Sequence, residues 1–208
     1  MASFFSSSQE DQLLIITNLW SKYKFLAIGL LAACVFSIIY REYSIESFEN
    51  QQLNSALAYS EFLDADSDLK EEKGSLVLLN YPNTLYADLV AINLAKLKVL
   101  EGDNVLAKEH LQRVLDRTSS SWRKNSNPLG FVAMLRLSRI YLSESNPQLV
   151  LALLQDVSDL TSGLFEVKGD AETALGDAGS AKLSYLQASE KTQSQTIKSI
   201  LSMKIAEL

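Results

Sequence analysis

The sequence predicts an all-α fold in which a single N-terminal transmembrane helix is followed by a solenoid of paired helices. Three observations lead to this fold class. Residues 25–40 form an apolar run without a charged side chain. Beyond this run, apolar residues recur at helical spacing, with no sustained alternation of the kind that a half-buried β-strand shows. The 208-residue chain also contains only 3 prolines and 8 glycines, too few for the many turns of an all-β protein.

The apolar run (FLAIGLLAACVFSIIY) is predicted to cross a membrane. Its length of about 24 Å is shorter than a hydrocarbon core of about 30 Å. Flanking lysine and arginine side chains can extend to the interface and close that gap. Lys22 and Lys24 precede the run and Arg41 follows it, so the positive-inside rule predicts a cytoplasmic N-terminus. The predicted division is a short cytoplasmic leader (1–24), a transmembrane helix (25–40) and an extracytoplasmic repeat domain (41–208).

Small residues recur every four positions along this predicted helix, at Gly29, Ala33 and Ser37. Such a stripe allows another membrane helix to approach closely. Two other interpretations of the apolar run stay open. A cleaved secretory signal would need a cleavage site, and no convincing one follows. Residues 31–34 (LAAC) resemble a bacterial lipobox that would lipidate the only cysteine, although residues 35–39 continue the apolar run where a mature lipoprotein turns polar.

Three later segments share one arrangement, in which a helix, a tight turn and a second helix follow one another. In the first segment the Gly-Asp turn at residues 102–103 lies five positions before Ala107, and in the third the Gly-Asp turn at 176–177 lies five positions before Ala181. The middle segment is a degenerate copy with Val150 at the small position. An insertion at 118–128, which includes a Trp-Arg-Lys sequence, explains the longer first interval.

The repeats are predicted to continue at both ends. Residues 43–63 and 69–80 are predicted to form an earlier helix pair, with the charged stretch 64–73 as a solvated turn region between helices. Residues 196–208 (TIKSILSMKIAEL) are amphipathic and are predicted to cap the last repeat, because stacked repeats need a terminal helix over their open apolar face.

Composition excludes several function classes. A net charge of −6 leaves no basic face for nucleic acid, and one cysteine with one histidine cannot form a zinc site of the usual ligands or an internal disulfide. His110 falls on a predicted second helix, where a packed or surface histidine is the ordinary interpretation. Phosphate-binding loops and nucleophile elbows are also lacking. We therefore predict no enzymatic activity, no cofactor, no metal and no small-molecule substrate.

Protein binding is the function that a helical solenoid offers, because stacked helix pairs form an extended surface. Projecting the repeat onto the sequence places eight residues on the inner face of the first two units: Leu89, Ile92, Lys96, Val99, Val132, Leu135, Arg139 and Leu142. The third unit adds Glu166, Asp170 and Thr173. Such a groove suits extended or amphipathic protein segments. The alternative for any of these residues is burial against a neighbouring helix.

The repeat pattern resembles the tetratricopeptide repeat, most clearly at Gly169, Ala181, Tyr185 and Ala188. Over nearly the full chain, the sequence is similar to the YfgM-like family, the ancillary subunits associated with the SecYEG translocon in Gram-negative bacteria. The segments that carry this second resemblance are 10–12 (EDQ), the span with 41–43 (REY), 83–87 (NTLYA), 93–95 (NLA), 135–139 (LRLSR), Gly169 with 176–177, and 202–205 (SMKI).

The resemblance implies a periplasmic repeat domain that is anchored in the bacterial inner membrane by one helix. Its implied protein partners are the SecYEG translocon, a PpiD-like chaperone and newly exported proteins. An envelope scaffold or outer-membrane assembly lipoprotein with tetratricopeptide-like repeats stays open as the alternative function.

Overall fold

A computed structural model describes residues 9–119 and 127–208 of the protein. Within these ranges the chain is helical and contains no strand, which confirms the all-α prediction. The helices are α1 (Gln9–Asp64), α2 (Ser67–Asn80), α3 (Leu85–Glu101), α4 (Asn104–Ser119), α5 (Pro128–Ser143), α6 (Pro147–Leu154), α7 (Ser162–Ala174), α8 (Ala178–Lys191) and α9 (Gln195–Ala206). The chain divides into two compact units, Met1–Leu53 and Asn54–Leu208. Most of the predicted insertion, including Trp122, lies outside the described residues.

Helix α1 is a single helix of 56 residues, where the sequence suggested a leader helix, a span and a separate first repeat helix. The sequence explains this continuity, because no proline occurs before Pro82 and no glycine occurs between Gly29 and Gly74. Among the described residues, the part of α1 from Leu19 onward is the one helical stretch long and apolar enough to cross a membrane, and none of its most apolar window is buried.

The charged stretch 64–73 is mostly helix, so its interpretation as a turn region is wrong for all but two of its residues. The turn between α1 and α2 consists only of Ala65 and Asp66, and α2 begins at the next residue. Glu71 on α2 accepts a hydrogen bond of 2.6 Å from the Nζ of Lys98 on α3, whose side chain is 8% exposed. Asp68, Glu71 and Glu72 therefore lie on a packed helix rather than in a loop.

The three predicted helix pairs are α3 with α4, α5 with α6, and α7 with α8. The turns of the first and third pairs contain Gly102 and Gly176 in the left-handed region, at φ 84° and 80°, where a side chain would be strained. The small positions Ala107, Val150 and Ala181 are all fully buried, which confirms the alignment of the three repeats. First helices of successive pairs also touch, α3 with α5 and α5 with α7, as stacked repeats require.

The last repeat is capped by α9, as predicted. Leu201 of α9 is fully buried in a cluster with Ala181, Tyr185 and Ala188. On the same helix, Lys204 Nζ donates hydrogen bonds to Glu166 Oε1 at 2.8 Å and to Asp170 Oδ1 at 2.7 Å. These two acidic residues of α7 were predicted to line the groove, and instead they are bound by the chain's own C-terminal helix.

Partial burial works to lower the pKa of Lys204, but its hydrogen bonds with Asp170 and Glu166 outweigh burial and raise it. We expect Lys204→Met to lower the free energy of unfolding of the repeats by roughly 1.5–3 kcal/mol at neutral pH. Because the folded state holds the proton more tightly, this contribution is complete below pH 10.5 and is lost as the pH rises through the raised value. Denaturant titrations followed by circular dichroism check the difference. Lys198→Met on the same helix is the control, and an equal loss from both variants would contradict the assignment.

Candidate protein-binding cleft

A cleft of about 450 Å³ opens between α3, α4 and α5. Its floor consists of Ala95, Leu111 and Ile140, which are all buried, and its rim includes Val99 and Leu100, which are 42% and 74% exposed. The remaining lining residues are Lys96, Asn104, Arg136, Arg139 and Ser143. The cleft therefore combines an apolar floor with polar and positively charged side chains at its edges.

Three cations and no carboxylate line this cleft, in a chain whose net charge is −6. Arg136 Nη1 donates a hydrogen bond of 2.7 Å to the carbonyl oxygen of Ile92 across the α3–α5 contact. Burial lowers the pKa of Arg136, and the positive charge of nearby Arg139 lowers it further. Arg136 still carries its charge at neutral pH, because arginine titrates far above it. The local field is therefore positive.

Several cations of the repeats have partners, whereas Lys96 and Arg139, like Lys182 and Lys198, have none among the described residues. Lys108 on α4, for example, donates to Glu144 Oε2 at 2.7 Å, and Lys98 is bonded to two glutamates. Neither Lys96 nor Arg139 makes an ion pair or hydrogen bond with any residue in the ranges that the structure describes.

The structure brings three of the eight predicted groove residues into the cleft, namely Lys96, Val99 and Arg139. Leu89 and Val132 lie on the same two helices but outside the cleft, half-buried and 37% exposed respectively. The other three predicted residues are covered by neighbouring helices.

Packing of successive repeats covers Ile92, Leu135 and Leu142. Ile92 is only 5% exposed, in the core around α3, and presents its carbonyl oxygen to Arg136 instead of its side chain. Leu135 and Leu142 are half-buried against the core of α6 and α7, and Leu135 lies beside Gly163 at the start of α7. Projecting the repeat pattern onto the sequence did not show which positions of a first helix are covered by the next repeat.

Sequence reasoning missed the other lining residues of the cleft, namely Ala95, Leu100, Asn104, Leu111, Arg136, Ile140 and Ser143. Leu100 and Asn104 lie on either side of the turn at Gly102. Arg136, Arg139, Ile140 and Ser143 follow the helical spacing of one face, a signal that was present in the sequence.

The structure also shows where His110 and the possible metal-ligating side chains of the described residues lie. His110 is half-buried, and burial lowers its pKa, so it is neutral at pH 7. In the ranges 9–119 and 127–208, no group of three His, Cys, Asp or Glu side chains is placed to hold a metal ion. On α1, Gly29, Ala33 and Ser37 are exposed on one face, and a Cβ atom added at Gly29 would meet nothing within 4 Å.

A family model described as a tetratricopeptide repeat-like domain matches residues 18–208. The chain belongs to this family. The matched range extends from the apolar part of α1 through all the helix pairs to α9.

A curated relative of this tetratricopeptide repeat-like protein is 26% identical over 193 residues. It is named ancillary SecYEG translocon subunit, from Aggregatibacter actinomycetemcomitans, and the similarity covers 89% of this chain and 91% of the relative. No solved structure matches the chain at a significant level.

Proposed function

We propose that this protein is a non-enzymatic adaptor or chaperone accessory, anchored in the bacterial inner membrane, that associates with the SecYEG translocon. The observation that carries the proposal is the extent of similarity to the ancillary translocon subunit. The 193 aligned residues are more than Asn54–Leu208 contains, so the similarity is not confined to the repeats. A chain with both a repeat domain and an apolar helix suits a protein that binds other proteins near a membrane.

In this proposal residues 1–24 lie in the cytoplasm, residues 25–40 cross the membrane and residues 41–208 lie in the periplasm. The stripe of Gly29, Ala33 and Ser37 packs against a membrane helix of the translocon. The repeat face presents Lys96, Val99 and Arg139 of the eight predicted residues, in the cleft between α3, α4 and α5. Its partners there are a PpiD-like chaperone and newly exported proteins.

Photo-crosslinking in intact membranes tests this function. A crosslinking amino acid at Gly29 is expected to give adducts with translocon subunits, and one at Val99 adducts with chaperones or exported chains. Leu183 on α8, 64% exposed and outside the cleft, serves as the matched control. Absence of translocon adducts from Gly29, together with equal adducts from Val99 and Leu183, would contradict the proposal.

The lipobox-like sequence favours one alternative, an envelope scaffold lipoprotein. Cys34 is exposed on α1 and follows three small or apolar residues. Palmitate labelling of the protein together with a processed N-terminus at Cys34 would support that alternative over the transmembrane anchor. An intact N-terminus without label would exclude it.

A further inference from the structure

We propose that the cleft between α3, α4 and α5 binds a protein segment in which acidic side chains flank a bulky apolar side chain. This inference rests on the proposed function, because it names the chemistry of a partner that the repeats bind. The bound segment is amphipathic and acidic, rather than basic or purely apolar.

The apolar floor of the cleft indicates that the partner contributes an apolar side chain. Its volume of about 450 Å³ lies within the range of about 300–1,000 Å³ that small-ligand pockets have. Leu111 and Ile140 are buried beneath it, and Val99 and Leu100 are exposed at its edge. One leucine or phenylalanine side chain from a partner would remove these rim side chains from water. The apolar surface therefore contributes affinity without selecting between acidic and basic partners.

The cations at the edges of the cleft indicate that the partner is acidic. Lys96 projects from α3, whereas Arg136 and Arg139 project from α5, so groups of the same sign face each other across the cleft. No acidic residue lines the cleft. The mutual repulsion of the two arginines is relieved when an anion enters, and a guanidinium group can donate two parallel hydrogen bonds to one carboxylate.

The contact between α7 and α9 supports this argument, because there the chain supplies the acidic groups itself. Lys204 of α9 bonds to Glu166 and Asp170 of α7. The charged side chains that line the cleft are instead all basic. A carboxylate from a partner would therefore complete, at the cleft, the kind of pairing that the C-terminal helix makes within the chain.

The test uses the full chain in detergent micelles and three end-blocked, fluorescein-labelled peptides. The first peptide is Leu-Glu-Leu-Phe-Glu-Asp-Leu, the second has lysine at each acidic position, and the third has serine at each apolar position. Blocked ends exclude a contribution from a terminal carboxylate. Fluorescence anisotropy measures each dissociation constant at low and at high salt.

We expect the acidic peptide to bind at least about tenfold more tightly than either of the other two, because charge-assisted hydrogen bonds and apolar burial both contribute. The double variant Lys96→Glu with Arg139→Glu is expected to reverse the preference between acidic and lysine peptides. The control is Lys182→Glu with Lys198→Glu, which changes the net charge equally but lies on α8 and α9, outside the cleft. Circular dichroism verifies that both variants are folded.

Equal binding of the acidic and lysine peptides, or a preference that persists in the cleft variant, would overturn this inference. Tighter binding to vesicles of anionic lipid than to the acidic peptide would overturn it in favour of a lipid headgroup. The two proposals fail separately. Translocon adducts from Gly29 without an acidic-peptide preference would leave the proposed function standing, whereas the preference without those adducts would leave the cleft inference standing.

Discussion

Replacing Gly169 by alanine is expected to lower the free energy of unfolding of the repeats by about 1–3 kcal/mol, a typical cost of overpacking a core. A Cβ atom at this position would lie 2.5 Å from Cε1 and 2.6 Å from Cδ1 of Tyr185. The tyrosine ring cannot move aside easily. It is 2% exposed, and its hydroxyl group donates a hydrogen bond of 2.8 Å to Asp170 and lies 3.2 Å from Thr173 Oγ1.

Gly179→Ala is the matched control for this substitution. Gly179 is also helical but exposed, and the nearest atom to its Cβ would be Asp177 Oδ1 at 3.6 Å. Alanine there should be neutral or stabilise the protein by up to about 1 kcal/mol, because glycine has the lower helix propensity. Denaturant unfolding followed by circular dichroism compares the two variants. Equal midpoints would show that the close approach of α7 and α8 tolerates a methyl group.

The second large effect is expected at the ion pair between Asp88 on α3 and Arg117 on α4. Arg117 Nε donates to Asp88 Oδ1 at 2.6 Å, and its Nη2 contacts Asp88 Oδ2. The side chain of Asp88 is 3% exposed and that of Arg117 is 28% exposed. Arg117→Met leaves a carboxylate buried without its cation, so we expect a loss of about 3–5 kcal/mol in unfolding free energy.

The reverse substitution separates the loss of a buried charge from the loss of a contact. Asp88→Asn removes the negative charge and leaves Arg117, which can turn toward water, so we expect a smaller loss than from Arg117→Met. The double variant should be more stable than Arg117→Met alone, because it leaves no buried charge. Thermal and denaturant unfolding of the three variants measure this order. If Asp88→Asn cost more than Arg117→Met, the asymmetry of burial would not govern the pair.

Local features of this protein were predictable from the sequence because they depend on neighbours within one or two helical turns. Glycine at 102 and 176 marked the left-handed turns, and Ala107 and Ala181 marked the close-packed positions. The amphipathic pattern of residues 196–208 predicted the capping helix α9. The continuity of α1 also had a local signal, the absence of a helix breaker, although it was not used.

The lining of the cleft was predictable only in part. Periodicity placed Lys96, Val99 and Arg139 on one face of their helices, and all three line the cleft. Whether such a face stays open depends on what the next helix covers: Leu135 and Leu142 pack against the core of α6 and α7, whereas Arg139 stays exposed. Charge pairing also depends on distant helices, since Glu166 and Asp170 on α7 are bound by Lys204 on α9.

The sequence by itself determined the all-α class, the apolar helix, the order of the helix pairs and the capping of the last one. These follow from hydrophobic periodicity and turn residues, which act over a few positions. Only the tertiary structure decided which cations stay unpaired and where the cleft opens. The physical reason is that charge pairing and solvent exposure are set largely by residues on other helices, as with Lys204 and Asp170 at a separation of 34.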